Sequence, residues 1–210
     1  MKVFTGADLT TLEKHFRIHL INMASGIRAG NLIGTIGKNG VSNLAIFNSV
    51  MHIGANPPFM GFILRPLTVE RHTYENIVDR KYFTINHITT DIHKNAHLTS
   101  AKFDRQTSEF DACGLTPYFH EKFAAPFVKE SPVKIGLSFE ESCTIRANNT
   151  MLVVGKVELL AIEDHLLEPD GHIDLEKSNT VGIGGLDTYY EVNKLGRYAY
   201  AKPGEAIKEI

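Results

Sequence analysis

The chain contains no tryptophan and only two cysteines, Cys113 and Cys143, among 210 residues. These cysteines lie far apart and form no CxxC pair, which argues against a thiolate metal site and against a scaffold held by several disulfides. A single disulfide between them stays open, although free buried thiols are the commoner state in cytosolic proteins. We therefore expect a fold that is stabilised by its hydrophobic core.

Long hydrophobic runs are missing as well. No segment approaches the ~18 continuous apolar residues of a membrane-spanning helix. The first residues, MKVFTGADLTTLEKHF, have no apolar run of signal-peptide length. We expect a cytoplasmic protein that makes no use of a membrane.

An excess of one charge is absent too. The chain carries 22 Lys and Arg residues against 24 Asp and Glu residues, a formal net charge of -2. Basic residues are scattered and form no stripe, so nucleic-acid binding is not expected. No linker, repeat or low-complexity tract divides the chain, and we expect a single domain over residues 1–210.

What is present is a succession of short strand-like segments. Residues 31–37 and 41–50 flank Lys38-Asn39-Gly40, and Asn-Gly is a strong hairpin signal because both residues tolerate positive φ. The sequence Gly54-Ala55-Asn56-Pro57-Pro58 reads as a connection to a short strand at residues 59–64. This pattern predicts antiparallel strand pairing.

Helical periodicity is limited to two stretches, residues 69–80 and 93–101. The other predicted elements are strands at residues 81–86 and 180–183 and a long hairpin formed by residues 126–146 and 151–162. Many antiparallel strands with two or three short helices predict a mainly β fold with α decorations, built as a small barrel.

The ten histidines raise the question of a metal site. His93 and His97 stand at i and i+4 and would share one face of a helix. No carboxylate completes an HExxH arrangement, and the other histidines lack ligand spacing. The sequence predicts no metal.

The glycine-rich stretch at residues 182–186 lacks the GxGxxG form, and we interpret it as a bend or a flexible cover over a groove.

The stretch from Ser42 to Pro66 suggests a flavin mononucleotide site. Asn43, Asn48 and Ser49 suit the polar edge of the ring and the ribityl chain. Arg65 and Thr73, with a helix start beside them, suit the phosphate dianion. Strand alternation places Asn43 and Asn48 on opposite faces, so at least one contact would come from the backbone.

Ordinary structural roles stay open for each of these residues. The amides and the serine would equally satisfy turn and edge-strand hydrogen bonds. Arg65 would equally form a surface ion pair, and Thr73 would equally serve as a helix-start residue.

An ordered series of short motifs carries a resemblance to a known family. The series is Ala29-Gly30-Asn31-Leu32-Ile33, Gly40-Val41-Ser42-Asn43-Leu44-Ala45, Pro57-Pro58, Arg65-Pro66, His72-Thr73, Asn76-Ile77, Phe83-Thr84-Ile85-Asn86, Leu98 to Phe103, Ser108-Glu109-Phe110, Gly114-Leu115-Thr116-Pro117 and Val128 to Ser131. It resembles the flavin reductase-like family, the FMN-binding split barrels that include flavoredoxins and the reductase components of two-component monooxygenases.

The resemblance implies a split β-barrel homodimer that binds FMN in a groove near the subunit interface. It implies a core at about residues 15–165 and a C-terminal extension at 166–210. Carried over residue by residue, the cofactor-binding set is Asn43, Leu44, Ala45, Phe47, Asn48, Ser49, Arg65, Thr73, Ser100 and Lys102. Gly26-Ile27-Arg28 departs from the proline-arginine pair of many relatives, so the entry to that strand differs.

The function implied is an FMN-binding oxidoreductase, with NAD(P)H as the candidate electron donor and an oxygenase or electron-transfer protein as a candidate partner. Two alternatives remain: a flavoredoxin-like electron carrier without its own nicotinamide site, and a non-enzymatic split barrel that binds another ligand. No catalytic side chain is predicted, because the hydride chemistry belongs to the cofactor. Four late tyrosines have two candidate roles, either packing and dimer contact or closure over the flavin: Tyr189, Tyr190, Tyr198 and Tyr200.

Overall fold

A computed structural model describes all 210 residues. The helices are α1 (Gly6–Thr11), α2 (Lys14–Ala24), α3 (His72–Arg80), α4 (His93–Leu98) and α5 (Glu109–Ala112). The strands are β1 (Ile27–Ala29), β2 (Asn31–Ile36), β3 (Ser42–Phe47), β4 (Met51–Ala55), β5 (Pro58–Leu64), β6 (Tyr82–His87), β7 (Pro117–Tyr118), β8 (Phe127–Val128), β9 (Val133–Ile145), β10 (Thr150–Ile162), β11 (Val181–Gly184) and β12 (Thr188–Glu191). No helix combines the length and the apolar character needed to span a lipid bilayer.

Seven antiparallel strands form the main sheet, in the order β3-β2-β6-β9-β10-β5-β4. A three-stranded sheet, β1-β11-β12, joins the start of the chain to its end, and β7 pairs with β8. The protein is therefore mainly β with helical decorations, as the pattern predicts. Strands β3 and β4 are the two edges of the main sheet, so each has only one strand partner.

The β2–β3 hairpin forms where Asn39-Gly40 predicts it. The Gly37 N–H donates to the Val41 carbonyl at 2.9 Å. Gly40 has a φ of +82°, a value that glycine adopts without steric cost. The turn fixes the register that sets Gly34 opposite Leu44.

The predicted strand at residues 41–50 is wrong in its last three residues. β3 ends at Phe47, and a separate strand, β4, occupies part of the stretch predicted to be a connection. The Ser49 hydroxyl donates to the Ile63 carbonyl at 2.9 Å and accepts the Ile63 N–H at 3.1 Å. Because a side chain takes the place of backbone partners there, the ladder is interrupted and the chain bends between β3 and β4.

The helices also differ from the prediction at their ends. α3 begins at His72 and not at residue 69, because the Arg71 N–H is held by the Glu75 carboxylate at 3.0 Å. α4 ends at Leu98, after which the chain continues in tight turns. The two N-terminal helices were not predicted; α1 is stabilised by a capping box between Thr5 and Asp8.

The long hairpin is confirmed as β9 and β10, with β8 separated from β9 by residues 129–132. Its ladder shifts register near Gly155, a residue that lies against a core ring. A Cβ on Gly155 would come within 2.5 Å of the Phe83 ring. Only glycine lets this strand approach the core so closely.

Two hydrophobic clusters form most of the core. One lies under β3, α4 and α5 and comprises Leu32, Leu44, Ile88, Ile92, Ala96, Phe110, Leu115, Val128, Val181 and Ile183. The other lies inside the main sheet and comprises Ile33, Phe62, Leu64, Ile77, Phe83, Ile85, Ile135, Leu137 and Val153. Val181 and Ile183 belong to the predicted C-terminal extension, so the first part of that extension packs in the core.

The last residues fold back on themselves and are held by charge. Tyr198 pairs with Glu209 in an isolated β-bridge. The Arg197 guanidinium contacts Glu168 at 3.2 Å and Asp170 at 2.5 Å. Tyr200 is 94% exposed, so this hairpin adds little to the core.

Both cysteines are free thiols; Cys113 is buried and Cys143 is exposed. Burial raises the pKa of the Cys113 thiol, and the nearby Glu109 carboxylate adds to that rise. Cys113 is therefore a protonated, apolar side chain at neutral pH.

His87, at the end of β6, gives a pH-dependent stability. Burial lowers the pKa of its imidazole from 6.5 to about 4, and its Nδ1 lies 3.5 Å from the Thr180 hydroxyl. Between these pH values the unfolded chain binds the proton and the folded chain does not. The free energy of unfolding therefore falls as pH drops from 6.5 toward 4, by at most about 3 kcal/mol.

We predict that His87→Gln flattens this part of the pH profile. Urea denaturation at pH 7 and near pH 4.5 measures the loss in each protein. The exposed His52→Gln should keep the wild-type loss. An unchanged pH dependence in His87→Gln would show that other groups cause the acid destabilisation.

Candidate functional site

The first turn of α3 packs against β3 through one buried hydrogen bond. The Asn43 amide donates to the Thr73 hydroxyl at 3.1 Å, and both residues are buried. One turn later, Asn76 donates to the Thr35 hydroxyl on β2 at 3.1 Å. These contacts hold the N-terminus of α3 beside the edge strand, and they join two residues that the sequence predicts for the site.

Cationic side chains surround this helix start. The Arg105 guanidinium forms an ion pair with the Glu75 carboxylate. Burial alone would raise the pKa of Glu75, but the Arg71 N–H and the Arg105 guanidinium outweigh it and lower that pKa. The carboxylate is therefore ionised at neutral pH and fixes both arginines at the helix start.

The Nε atom of Arg71 is buried and has no hydrogen-bond partner. A buried guanidinium nitrogen without a partner is costly, which makes it informative about a missing acceptor. Arg71 directly precedes α3, whose first residue, His72, lines one small cavity together with Asn43 and Arg105. This set matches what a phosphate group requires, so the residues present fit the phosphate of a nucleotide.

A small cavity opens at this place. Its volume is about 10 Å³, and its lining is almost entirely polar: Gly37, Asn39, Val41, Asn43, His72, Asn76, Arg105 and Thr107. That space holds roughly one water molecule. A nucleotide would reach it only with its terminal anionic group, and the remainder would lie outside along the open edge of β3.

The outer edge of β3 presents backbone groups. The Leu44 N–H points away from β2 and donates to the Glu109 carboxylate at 3.0 Å. Because backbone direction alternates along an antiparallel strand, the Ile46 N–H and carbonyl face the same outer side. The Leu44 side chain is fully buried, so its contribution to any ligand would come from its backbone.

Asn48 and Ser49 are engaged by the protein itself. The Asn48 amide donates to the Gly185 carbonyl at 2.6 Å, which ties the end of β3 to the turn after β11. Ser49 bonds to Ile63 through both its donor and its acceptor functions. Both residues thus have structural partners, and Asn48, which lies just beyond the end of β3, contacts a different element from Asn43.

The other predicted residues divide into packed and exposed ones. Phe47 meets Phe62 edge-on, with ring centroids 4.9 Å apart, and Ala45 is half-buried beside it. Arg65, Ser100 and Lys102 are exposed and have no side-chain hydrogen bond or ion pair. The free guanidinium of Arg65, directly after β5, is available to a ligand.

Four residues near the site were not predicted from sequence: Arg71, His72, Arg105 and Glu109. Arg71 and His72 could have been found from their position, because they immediately precede Thr73 at the predicted helix start. Glu109 stood in the Ser108-Glu109-Phe110 motif without an assigned role. No sequence signal indicated Arg105, because it lies in a loop 30 positions after its partner Glu75.

The late tyrosines occupy three different environments. Tyr189 belongs to β12 and packs against α4, where its hydroxyl is 3.0 Å from the His97 Nδ1 and its ring packs near His93. The two histidines thus share one helix face, as predicted, and that face meets an aromatic ring. Burial raises the pKa of Tyr189 to about 12, and Asp187 adds to the rise. Tyr190 is half-buried in β12, whereas Tyr198 and Tyr200 are exposed on the terminal hairpin.

Comparison with known proteins places this geometry in a family. Residues 24–175 match the flavin reductase like domain. A candidate flavin reductase with a split barrel domain from Shewanella frigidimarina NCIMB 400 is 44% identical, with 96% of this chain and 100% of that chain covered and a TM-score of 0.92.

Two further solved structures share the fold at lower identity. Nitrilotriacetate monooxygenase component B from Bacillus cereus is 21% identical over 92% of this chain and 96% of that chain, with a TM-score of 0.80. Flavoredoxin of Desulfovibrio vulgaris (Miyazaki F) is 24% identical over 98% and 99%, with a TM-score of 0.72. The expected mainly β split barrel is confirmed, and the chain belongs to the flavin reductase-like family.

Proposed function

We propose that this flavin-binding oxidoreductase binds FMN and is an NAD(P)H-dependent flavin reductase. The observation that carries the proposal is the cationic start of α3, where the buried Arg71 Nε has no partner. The chemistry of reduction would be supplied by the bound flavin. The protein's own part is to bind the phosphate, orient the ring along β3 and exclude water from one of its faces.

The phosphate would be held by three kinds of donor. Backbone N–H groups of the first turn of α3, a helix of nine residues, carry the partial positive charge of a helix N-terminus. The Thr73 hydroxyl can donate to the phosphate while it accepts from Asn43. Arg65, Arg71 and Arg105 supply charge, and Ser100 and Lys102 lie on the chain segment that leads to Arg105.

The ring would lie along the outer edge of β3. The outward N–H and carbonyl of Ile46 would meet its polar edge, because the outward Leu44 N–H is already bonded to Glu109. Ala45 and Phe47 would border it, with Asn48 and Ser49 at the far end of the strand. This arrangement assigns the contacts of the ring mainly to main-chain atoms.

Replacing one phosphate-binding arginine should weaken FMN binding. Arg65→Ala and Arg105→Ala should each raise the FMN dissociation constant by ~10–150-fold, equal to the loss of about 1.5–3 kcal/mol for a charge-assisted contact. Arg80→Ala, at the other end of α3, should leave it unchanged. Titration followed by flavin fluorescence measures each value, and thermal melts check the fold.

An affinity within twofold of wild type in Arg65→Ala would place the phosphate away from that side chain. Wild-type protein that binds no FMN would contradict the proposed function as a whole. It would favour the split barrel that binds another ligand.

The electron donor separates the proposal from its main alternative. As the electron donor, NAD(P)H would be consistent with an oxidoreductase that reduces its own flavin. A flavoredoxin-like carrier would receive its electrons from another protein instead.

An oxygenase or electron-transfer protein is the proposed partner, in line with the monooxygenase component that shares this fold. We also propose a cytoplasmic location, where reduced nicotinamide is available.

We predict that NADH or NADPH alone bleaches the flavin absorption of the FMN-loaded protein under anaerobic conditions. A preparation reduced chemically by dithionite is the control that shows the flavin is redox-active. No bleaching by either nicotinamide, with normal bleaching by dithionite, would assign the protein to the carrier class.

We further propose that the protein is a homodimer. Large apolar side chains are exposed on α2, β1 and β4, and they include Ile21, Met23, Ile27, Met51 and Ile53. Met23 lies against Gly185, whose carbonyl accepts the Asn48 amide, so part of this surface borders the proposed flavin groove. An apolar patch of this kind is typical of a protein–protein interface.

The double variant Ile21→Glu/Ile27→Glu should therefore be monomeric in sedimentation velocity at a concentration where wild type is dimeric. Leu195→Glu, which changes a 95% exposed leucine on the C-terminal tail, should remain dimeric. Monomeric wild type would contradict the dimer, and a dimeric double variant would move the interface to another face.

A further inference from the structure

A buried carboxylate lies against the edge strand, at a position that the contacts proposed above do not use. Glu109, the first residue of α5, is only 6% exposed. Its Oε2 accepts the Leu44 N–H at 3.0 Å. No ion pair to a lysine or an arginine accompanies this contact. Main-chain N–H groups are therefore the direct partners of this carboxylate.

The contact with Glu109 lies on the unpaired edge of β3. β3 pairs with β2 on one side only, so every second residue turns its N–H and carbonyl outward. Leu44 is one such residue, and Ile46 is the next. Glu109 takes the outward N–H of Leu44 and leaves the outward groups of Ile46 free.

The carboxylate also interacts with the charge of a residue on α3. Burial raises the pKa of Glu109, while the Leu44 N–H, its own N–H and the charge of His72 oppose that rise. His72 lies in the first turn of α3 and lines the small polar cavity together with Asn43. Glu109 therefore contacts the strand edge directly and lies within reach of the charge at the helix start.

We propose that Glu109 is a positioning residue of the flavin site, which fixes the edge of β3 so that the outward groups of Ile46 meet the polar edge of the isoalloxazine ring. The inference rests on the proposed function. Glu109 itself does not touch the ligand. It acts through the Leu44 N–H, and any oxygen acceptor of equal reach can replace it.

Three substitutions test the role of this acceptor. Glu109→Ala removes it, Glu109→Asp keeps the charge but shortens the reach, and Glu109→Gln keeps an oxygen at the same distance. We expect roughly tenfold weaker FMN binding in the Ala and Asp variants, as for the loss of one buried hydrogen bond. The Gln variant should bind within twofold of wild type. Flavin absorption maxima should shift in the Ala and Asp variants alone.

A matched control exists elsewhere in the chain. The Glu130 carboxylate also accepts a backbone N–H, that of Thr116, at 3.0 and 3.2 Å. Glu130→Ala should lower the melting temperature without changing the FMN dissociation constant or the absorption spectrum. If Glu109→Ala does not fold, Glu109→Asp and Glu109→Gln carry the comparison.

The outcomes separate this inference from the function on which it rests. Wild-type protein that fails to bind FMN removes the proposed function. Wild type that binds FMN while Glu109→Asp binds equally well, with an unshifted spectrum, overturns the inference alone. Weaker binding in Glu109→Gln, equal to that of the Ala variant, overturns it too, because the charge and not the hydrogen bond would then be required.

Discussion

The unpaired edge of β3 is the constraint on which the proposed site depends. An edge strand leaves a row of backbone donors and acceptors that water, a side chain or a ligand must satisfy. Here Glu109 takes one of these groups, and Asn43 anchors the same strand to Thr73 on α3. β3 is therefore bonded to α5 through Glu109 and to α3 through Thr73, while part of its edge stays open. A barrel closed between β3 and β4 would have no such edge to offer.

The charges at the start of α3 complete this arrangement. Glu75 neutralises part of the positive charge and holds Arg71 and Arg105 in place before any ligand arrives. Preorganised cations of this kind reduce the ordering cost of binding. In the proposed site, Glu75 would therefore raise the affinity for a phosphate, even though its own negative charge repels an anion.

Much of the fold could be predicted, because local signals specify it. Asn39-Gly40 fixes one hairpin, and two consecutive strand-like segments predict the long hairpin of β9 and β10. The break after Phe47 could not be predicted, since it depends on Ser49 meeting Ile63 across a strand pair. Likewise the contact of Asn48 with Gly185 joins residues 137 positions apart, a distance at which sequence pattern carries no information. Sequence pattern could name candidate residue types for the site, but it could not give the partner of each side chain.

The pairing of β1 with β11 has a consequence for how the chain is made. Ile27 lies opposite Gly184, so the second sheet joins residues separated by most of the polypeptide. The cluster under β3 also needs Val181 and Ile183 before it is complete. During synthesis from the N-terminus, the apolar face of β3 stays uncovered until nearly the whole chain has left the ribosome. Closure of this fold is thus a late, long-range event, and the proposed site on β3 can form only after it.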